Sequence, residues 1–207
     1  MKKIILLLTL VLAFVAQGTI VSASENFERI DQTLEVAFQH ARNYPPEFDS
    51  ETQKDGLKKE LIEVIAQLEQ MLDNSTERQQ ILFRLGKANT LAFNLDISRS
   101  REKADKYFAE LFTLDPNHAE GHLFYGQHLS GRGEFKSAIE HLQIAADGGF
   151  DMALNMIGLA YVQMGNKEDA KASFQKFQRK HPEDPQVQML LDSLAPSGEN
   201  ELKPMRE

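Results

Sequence analysis

The residues best placed for chemistry in this 207-residue chain are histidines. His118 and His122 are four apart, so on a helix they would share a face, as zinc ligands do. No third ligand follows at a usable spacing, and only His141, in the next helical stretch, could approach. His118 is therefore read as a cap or turn residue, His122 as a packing residue, and no metal site is expected. Gly131-Arg132-Gly133 has neither the preceding strand nor the following Lys-Ser/Thr of a phosphate loop. There is no Gly-x-Ser-x-Gly nucleophile elbow. With no cysteine there is no thiolate chemistry and no disulfide. The many carboxylates fall on polar helix faces, where solvation is the ordinary explanation. No catalytic residue, cofactor or metal is expected, and the chain is not read as an enzyme. Among the methionines, Met152 and Met156 share a helix face and Met164 lies further along. Core filling accounts for most, Met152 excepted.

The stretch from Ala119 to Pro182 carries the organisation. Gly126 recurs as Gly158, Gly133 as Gly165, Ala138 as Ala170 and Leu142 as Phe174, each 32 residues on. Four coincidences in one register make a repeat, and repeats of this length are stacked helical units. A small residue at a helix contact lets two backbones approach while large apolar residues fill the rows beside it. Tyr125, Leu129 and Leu142, with Ala145, take that role in one copy; Ile157, Tyr161, Phe174 and Phe177 take it in the other. Arg132-Gly133-Glu134 and Gly165-Asn166-Lys167 sit where the chain must reverse, and glycine tolerates the positive φ needed there. Pro182 closes the second copy.

These residues resemble tetratricopeptide repeats. Leu154-x-x-Ile157-Gly158-x-x-Tyr161, Ala170-x-x-x-Phe174 and Pro182 follow that pattern. So do His122-x-x-Tyr125-Gly126-x-x-Leu129 and Ala138-x-x-x-Leu142, with Phe150 in the proline place. Two features depart from it. There is no tryptophan, and the period of 32 instead of 34 points to a connection shortened near Asp147-Gly148-Gly149. A further unit opens at Leu82-x-x-Leu85-Gly86 and continues through Ala104-x-x-x-Phe108, Leu111 and Pro116. Its glycine-to-alanine gap is 18 residues instead of 12, leaving six extra around 93–98. They are read either as a lengthened surface turn or as a contact loop.

The resemblance implies an all-α, right-handed helical-hairpin solenoid of about three repeats. It further implies that the first helix of each pair lines a concave groove. The groove positions are Gln80, Phe83, Lys87 and Thr90; Glu120, Leu123, Gln127 and Ser130; and Met152, Asn155, Leu159 and Val162. Phe83, Leu123, Met152, Leu159 and Val162 form an apolar track. With only Lys87 and Asn155 of the needed types, a carboxylate clamp is not supported. The track suits an amphipathic helix or an extended apolar segment of a protein or peptide partner. Alternatively it is covered from within, by the first helix or the tail.

The expected organisation is a signal peptide at 1–23, an N-terminal helical pair at 24–73, and repeats over 74–182 (79–116, 119–150, 151–182). A capping helix at 183–195 and a disordered tail at 196–207 follow. Met1-Lys2-Lys3, the thirteen-residue apolar run Ile4–Ala16 and the small residues Val21-Ser22-Ala23 have the three parts of a secretory signal. The run falls short of the roughly 20 residues that span a bilayer, and a membrane association would require it to stay uncleaved. The expected destination is the bacterial periplasm. The chain carries 23 basic and 31 acidic residues, a charge of −8. Without the signal, 21 basic and 31 acidic residues leave −10, which disfavours a nucleic-acid partner.

In the pair at 24–73, Phe27, Ile30, Leu34, Phe38 and Ala41 make one stripe, ended by Pro45-Pro46. Leu57, Leu61, Val64, Ile65, Leu68, Met71 and Leu72 make the next. Val64, Leu68 and Met71 match the alanine, phenylalanine and following apolar places of a worn repeat. Asn74 with Glu77 reads as a capping box for the helix after it. Asp184 and Pro185 start the capping helix, whose stripe is Val187, Leu190, Leu191 and Leu194. The partner's identity and the oligomeric state are not written in the sequence.

Overall fold

A computed structural model describes residues 23–73 and 75–194. Among the described residues there are nine α-helices and no strand. They are α1 Ala23–Ala41, α2 Glu51–Leu72, α3 Arg78–Asn94, α4 Ser100–Leu114, α5 Ala119–Gly131, α6 Phe135–Asp147, α7 Met152–Gln163, α8 Lys167–Lys180 and α9 Pro185–Leu194. The signal segment apart from Ala23, the position Asn74 and the tail from residue 195 lie outside the described residues.

The helix starts are set by side chains that take up free backbone N–H groups. Ser50 Oγ accepts from Gln53 N at 3.2 Å before α2. Asn166 accepts from Asp169 N at 3.2 Å before α8. Asp184 Oδ1 accepts from Gln186 N at 2.8 Å and Val187 N at 3.3 Å, with Pro185 in the first turn of α9. The capping-box expectation needs correction. Helix α3 begins at Arg78, and Glu77 is its cap residue without a side-chain cap bond. Ser75 Oγ instead accepts from Glu77 N at 2.9 Å, in the turn before the helix.

Helices α3/α4, α5/α6 and α7/α8 form three hairpins, and each closes on its glycine. A Cβ built on Gly86 would lie 2.7 Å from the Phe108 ring. One on Gly126 would lie 2.6 Å from Leu142 Cγ, and one on Gly158 would overlap the Phe174 ring. Each glycine thus faces the large residue of the Ala-x-x-x-large motif in the partner helix. Gly133 (φ 77°) and Gly165 (φ 75°) turn the two later hairpins in the left-handed region. In both turns the residue after the glycine donates its N–H five residues back, Glu134 N to Leu129 O at 3.0 Å and Asn166 N to Tyr161 O at 2.9 Å.

The 32-residue period is not a shortened connection. The links at 115–118, 148–151 and 181–184 all have four residues. The end of α6 and the start of α7 are each one residue shorter relative to the motif. Gly148 accommodates the tightening, since a Cβ there would run into the Ala119 side chain.

The six extra residues of the first hairpin go mostly into structure. Helix α3 extends to Asn94, a turn further past its glycine than α5 or α7. Leu95 is fully buried and Ile97 packs on the core. Asn94 Nδ2 donates to Ala41 O at 2.8 Å, so the added turn reaches the end of α1.

Two groups of polar contacts tie the units together. Arg132 Nη1 lies 2.6 and 2.8 Å from the two Asp105 oxygens, and its Nη2 lies 2.5 Å from Glu134. The Tyr125 hydroxyl donates to the same Asp105 at 3.2 Å. Burial and the Asp105 charge push that phenol up to about 12. Lys180 binds Asp151 at 2.5 Å across the last hairpin. The core runs as three apolar clusters, over α1–α4 with Phe124 of α5, over α5–α7, and over α7–α9.

Candidate functional site: a half-covered groove

Helices α1, α3, α5 and α7 supply the groove face. Asp31 pairs with Arg84 through two bonds of 2.8 and 2.6 Å, and Ala41 O accepts from Asn94. Both contacts join residues 53 apart, so α1 and α3 run parallel in register. Arg84 also stacks over the Phe27 ring at 4.3 Å. The far end of α1 passes on to α5. The Phe38 and Phe124 rings meet edge-on at 5.7 Å. Arg42 O accepts from Gln127 Nε2 at 2.6 Å.

This arrangement decides the fate of the expected groove residues. On α3, Gln80 is exposed. Phe83 is half-buried, 5.9 Å from the Phe124 ring and 5.1 Å from His118. Lys87 Nζ sits 4.8 Å over the Phe124 ring and 5.7 Å over Phe38, a cation–π clamp between α1 and α5. Thr90 is 2 % exposed and donates its hydroxyl to Gly86 O at 3.1 Å. On α5, Glu120 and Ser130 are half-buried and Gln127 is held by α1. Leu123 is 8 % exposed and packs in the α5–α7 core. Thr90 and Leu123 are therefore corrected from groove surface to interior. Each sits on a helix with a parallel neighbour on both sides.

Helix α7 differs. Met152 (53 % exposed), Leu159 (42 %) and Val162 (38 %) form an open apolar stripe, with Asn155 half-buried among them. The last helix, α9, packs against α8 and leaves this face uncovered. Met156 fills core as expected. Met164, expected in the core, is exposed, because α7 ends at Gln163 and the side chain falls on the turn. The sequence reading missed Phe124, which no repeat motif marks, and the part that Arg42 plays at the end of α1.

The histidines form a packed set. His118 caps α5, its Nδ1 accepting from Gly121 N at 3.0 Å. His122 stacks on Phe112 with centroids 4.0 Å apart. Its Nε2 lies 3.0 Å from Pro116 O, and its Nδ1 lies 2.7 Å from His141 Nδ1. A carbonyl can only accept, so Nε2 carries the proton and His141 donates to Nδ1. Burial holds His122 below the usual imidazole range and brings His141 down to about 4. His128, buried beside Phe93, is also brought down to about 4 by burial. All three are neutral near pH 7. Among the described residues no group of three or more His, Cys, Asp or Glu side chains is arranged to hold a metal. No described helix is long and apolar enough to cross a membrane.

Residues 153–184, spanning most of α7, all of α8 and the following turn, match the tetratricopeptide repeat family. Two solved structures are similar in fold. The MamA RS-1 ArsTM double mutant has a TM-score of 0.55 and 16 % identity, covering 81 % of this chain and 83 % of its own. A thermophilic TPR protein of Thermus thermophilus has a TM-score of 0.55 and 16 % identity, covering 81 % of this chain and 91 % of its own. No curated protein matches the sequence.

Proposed function

We propose that this chain, whose residues 153–184 match the tetratricopeptide repeat and whose fold is that of a helical-hairpin stack, is a non-catalytic scaffold of the bacterial cell envelope that holds an apolar segment of a protein partner on α7. The observation that carries this reading is the contrast within one groove. Helix α1 seals the α3–α5 part, whereas Met152, Leu159 and Val162 remain open on α7. A contiguous exposed stripe at helical spacing fits the apolar face of an amphipathic helix. The internal geometry supplies a precedent, because α1 lies parallel to α3 with Leu34, Ala37 and Ala41 buried. The envelope location rests on the cationic start, apolar run and small residues before Ser24. A photo-crosslinking residue at position 159 should give one defined protein adduct in cells, lost on Met152→Glu. The same residue at Gln175, exposed on α8, should give none. Equal adducts from both positions would defeat the reading.

The covered α3–α5 half favours a second reading, a self-associating structural subunit. Its mark is a concentration-dependent dimer that Leu159→Glu dissociates. A chain that stays monomeric at high concentration would exclude it.

A further inference from the structure

A cleft of about 540 Å³ opens between α2 and the α3–α4 turn, away from the α7 stripe. It exists because of the irregularity of the first hairpin, since Asp96, Ile97 and Ser98 of the extra residues form one side. Asp96 (φ 56°) and Arg99 (φ 63°) hold this turn in left-handed conformations that disfavour ordinary side chains. The opposite side is one face of α2, from Lys58 through Ile62 and Ile65 to Glu69. Ile62 is 51 % exposed there, and Ile97 is half-buried across from it. Asn89, fully buried, also lines the cleft. Its Nδ2 donates to Leu85 O at 2.8 Å, while its Oδ1 is a buried acceptor without a donor. A buried unmatched carbonyl is costly, and an N–H or O–H from water or from a ligand in the cleft offsets that cost. The two ends differ in charge. Glu69 is engaged by Lys103 and by the Tyr107 hydroxyl, each at 2.7 Å. Lys58 has no carboxylate partner among the described residues.

We infer that this cleft binds the carboxyl-terminal segment of an apolar peptide, lying extended along α2 with its terminal carboxylate at Lys58. The helix from Lys58 to Glu69 spans about 16 Å, the length of roughly five extended residues. Ile62, Ile65 and Ile97 receive apolar side chains, a peptide N–H meets Asn89 Oδ1, and Lys58 supplies the countercharge. Free volume, apolar walls and a few convergent polar groups are the attributes of a ligand site. The inference does not depend on the α7 stripe, and its test separates the two.

The test is a titration of a pentapeptide of alternating leucine and serine, ending in leucine and carrying fluorescein on its amino terminus, with the full chain, followed by fluorescence anisotropy. It is run as the free acid and as the carboxyl-terminal amide. The free acid should bind at least tenfold more tightly than the amide. Lys58→Gln should remove that preference, Ile62→Asp should abolish binding of both, and Leu159→Glu should change neither. Circular dichroism checks that the variants stay helical. Absence of free-acid binding to the wild type, equal binding of acid and amide, or an unaltered preference in Lys58→Gln would overturn the inference.

Discussion

Replacing Gly158 by alanine puts a methyl carbon into the Phe174 ring, where α7 and α8 touch. Phe174 is fully buried and cannot swing aside, so overpacking should cost about 1–3 kcal/mol. Gly56 is the internal control. A Cβ there meets nothing within 4 Å, and the residue lies inside α2. Gly56→Ala should therefore stabilise by about 0.5–1 kcal/mol. Urea denaturation of the two variants checks both signs. A second residue-scale prediction concerns pH. His128 has an ordinary value of 6.5 and is brought down to about 4 in the fold. The unfolded chain takes up the proton first, so this contribution is complete above 6.5 and is lost as pH falls toward 4. His141 shifts to a similar value and His122 in the same direction. Wild type should lose stability between pH 7 and pH 4 more steeply than His128→Leu, by on the order of 1–3 kcal/mol. Equal slopes would show that the His128 ring is solvated.

At the scale of elements, α1 is where sequence and structure part. Its stripe of Phe27, Ile30, Leu34 and Ala41 was legible, because three- and four-residue spacing fixes which face of a helix is buried. The glycine–alanine register was legible for the same reason, since each Gly must oppose its own Ala-x-x-x-large partner within one hairpin. What α1 lies against was not legible. Arg42 meets Gln127 and Asn94 meets Ala41, partners 85 and 53 residues apart that no local period encodes. Leu123 and Leu159, both expected on the groove, show the same limit, for one is core and the other surface. Their difference comes from neighbouring helices: α5 is flanked by α3 and α7, while among the described residues no helix packs on the outer side of α7. Leu123→Glu should accordingly unfold the chain or strongly destabilise it, and Leu159→Glu should not. The added turn of α3 gives another prediction. Asn94→Ala leaves the buried end of α1 without its donor and should cost about 1–3 kcal/mol. Loss of amide protection confined to α1 in hydrogen exchange would locate that cost.

At the scale of the molecule, stacked hairpins hide their apolar faces only against one another. Every face that ends without a neighbour is therefore informative. Helix α9 covers the end of the stack through Val187, buried with Phe174 and Phe177. Helix α1 covers the inner face as far as α5. Among the described residues, Met152, Leu159 and Val162 of α7 are the expected apolar groove side chains that stay exposed. The chain has no cysteine, so single-cysteine variants can report on each face without interference. The most direct measurement compares maleimide labelling rates of Leu159→Cys and Leu123→Cys, in purified protein and in living cells. Leu159→Cys should label rapidly when purified and at least tenfold more slowly in cells, where a partner covers it, while Leu123→Cys stays slow in both. Fast labelling of Leu159→Cys in cells and purified protein alike would contradict an occupied groove, and fast labelling of Leu123→Cys would contradict the packing itself.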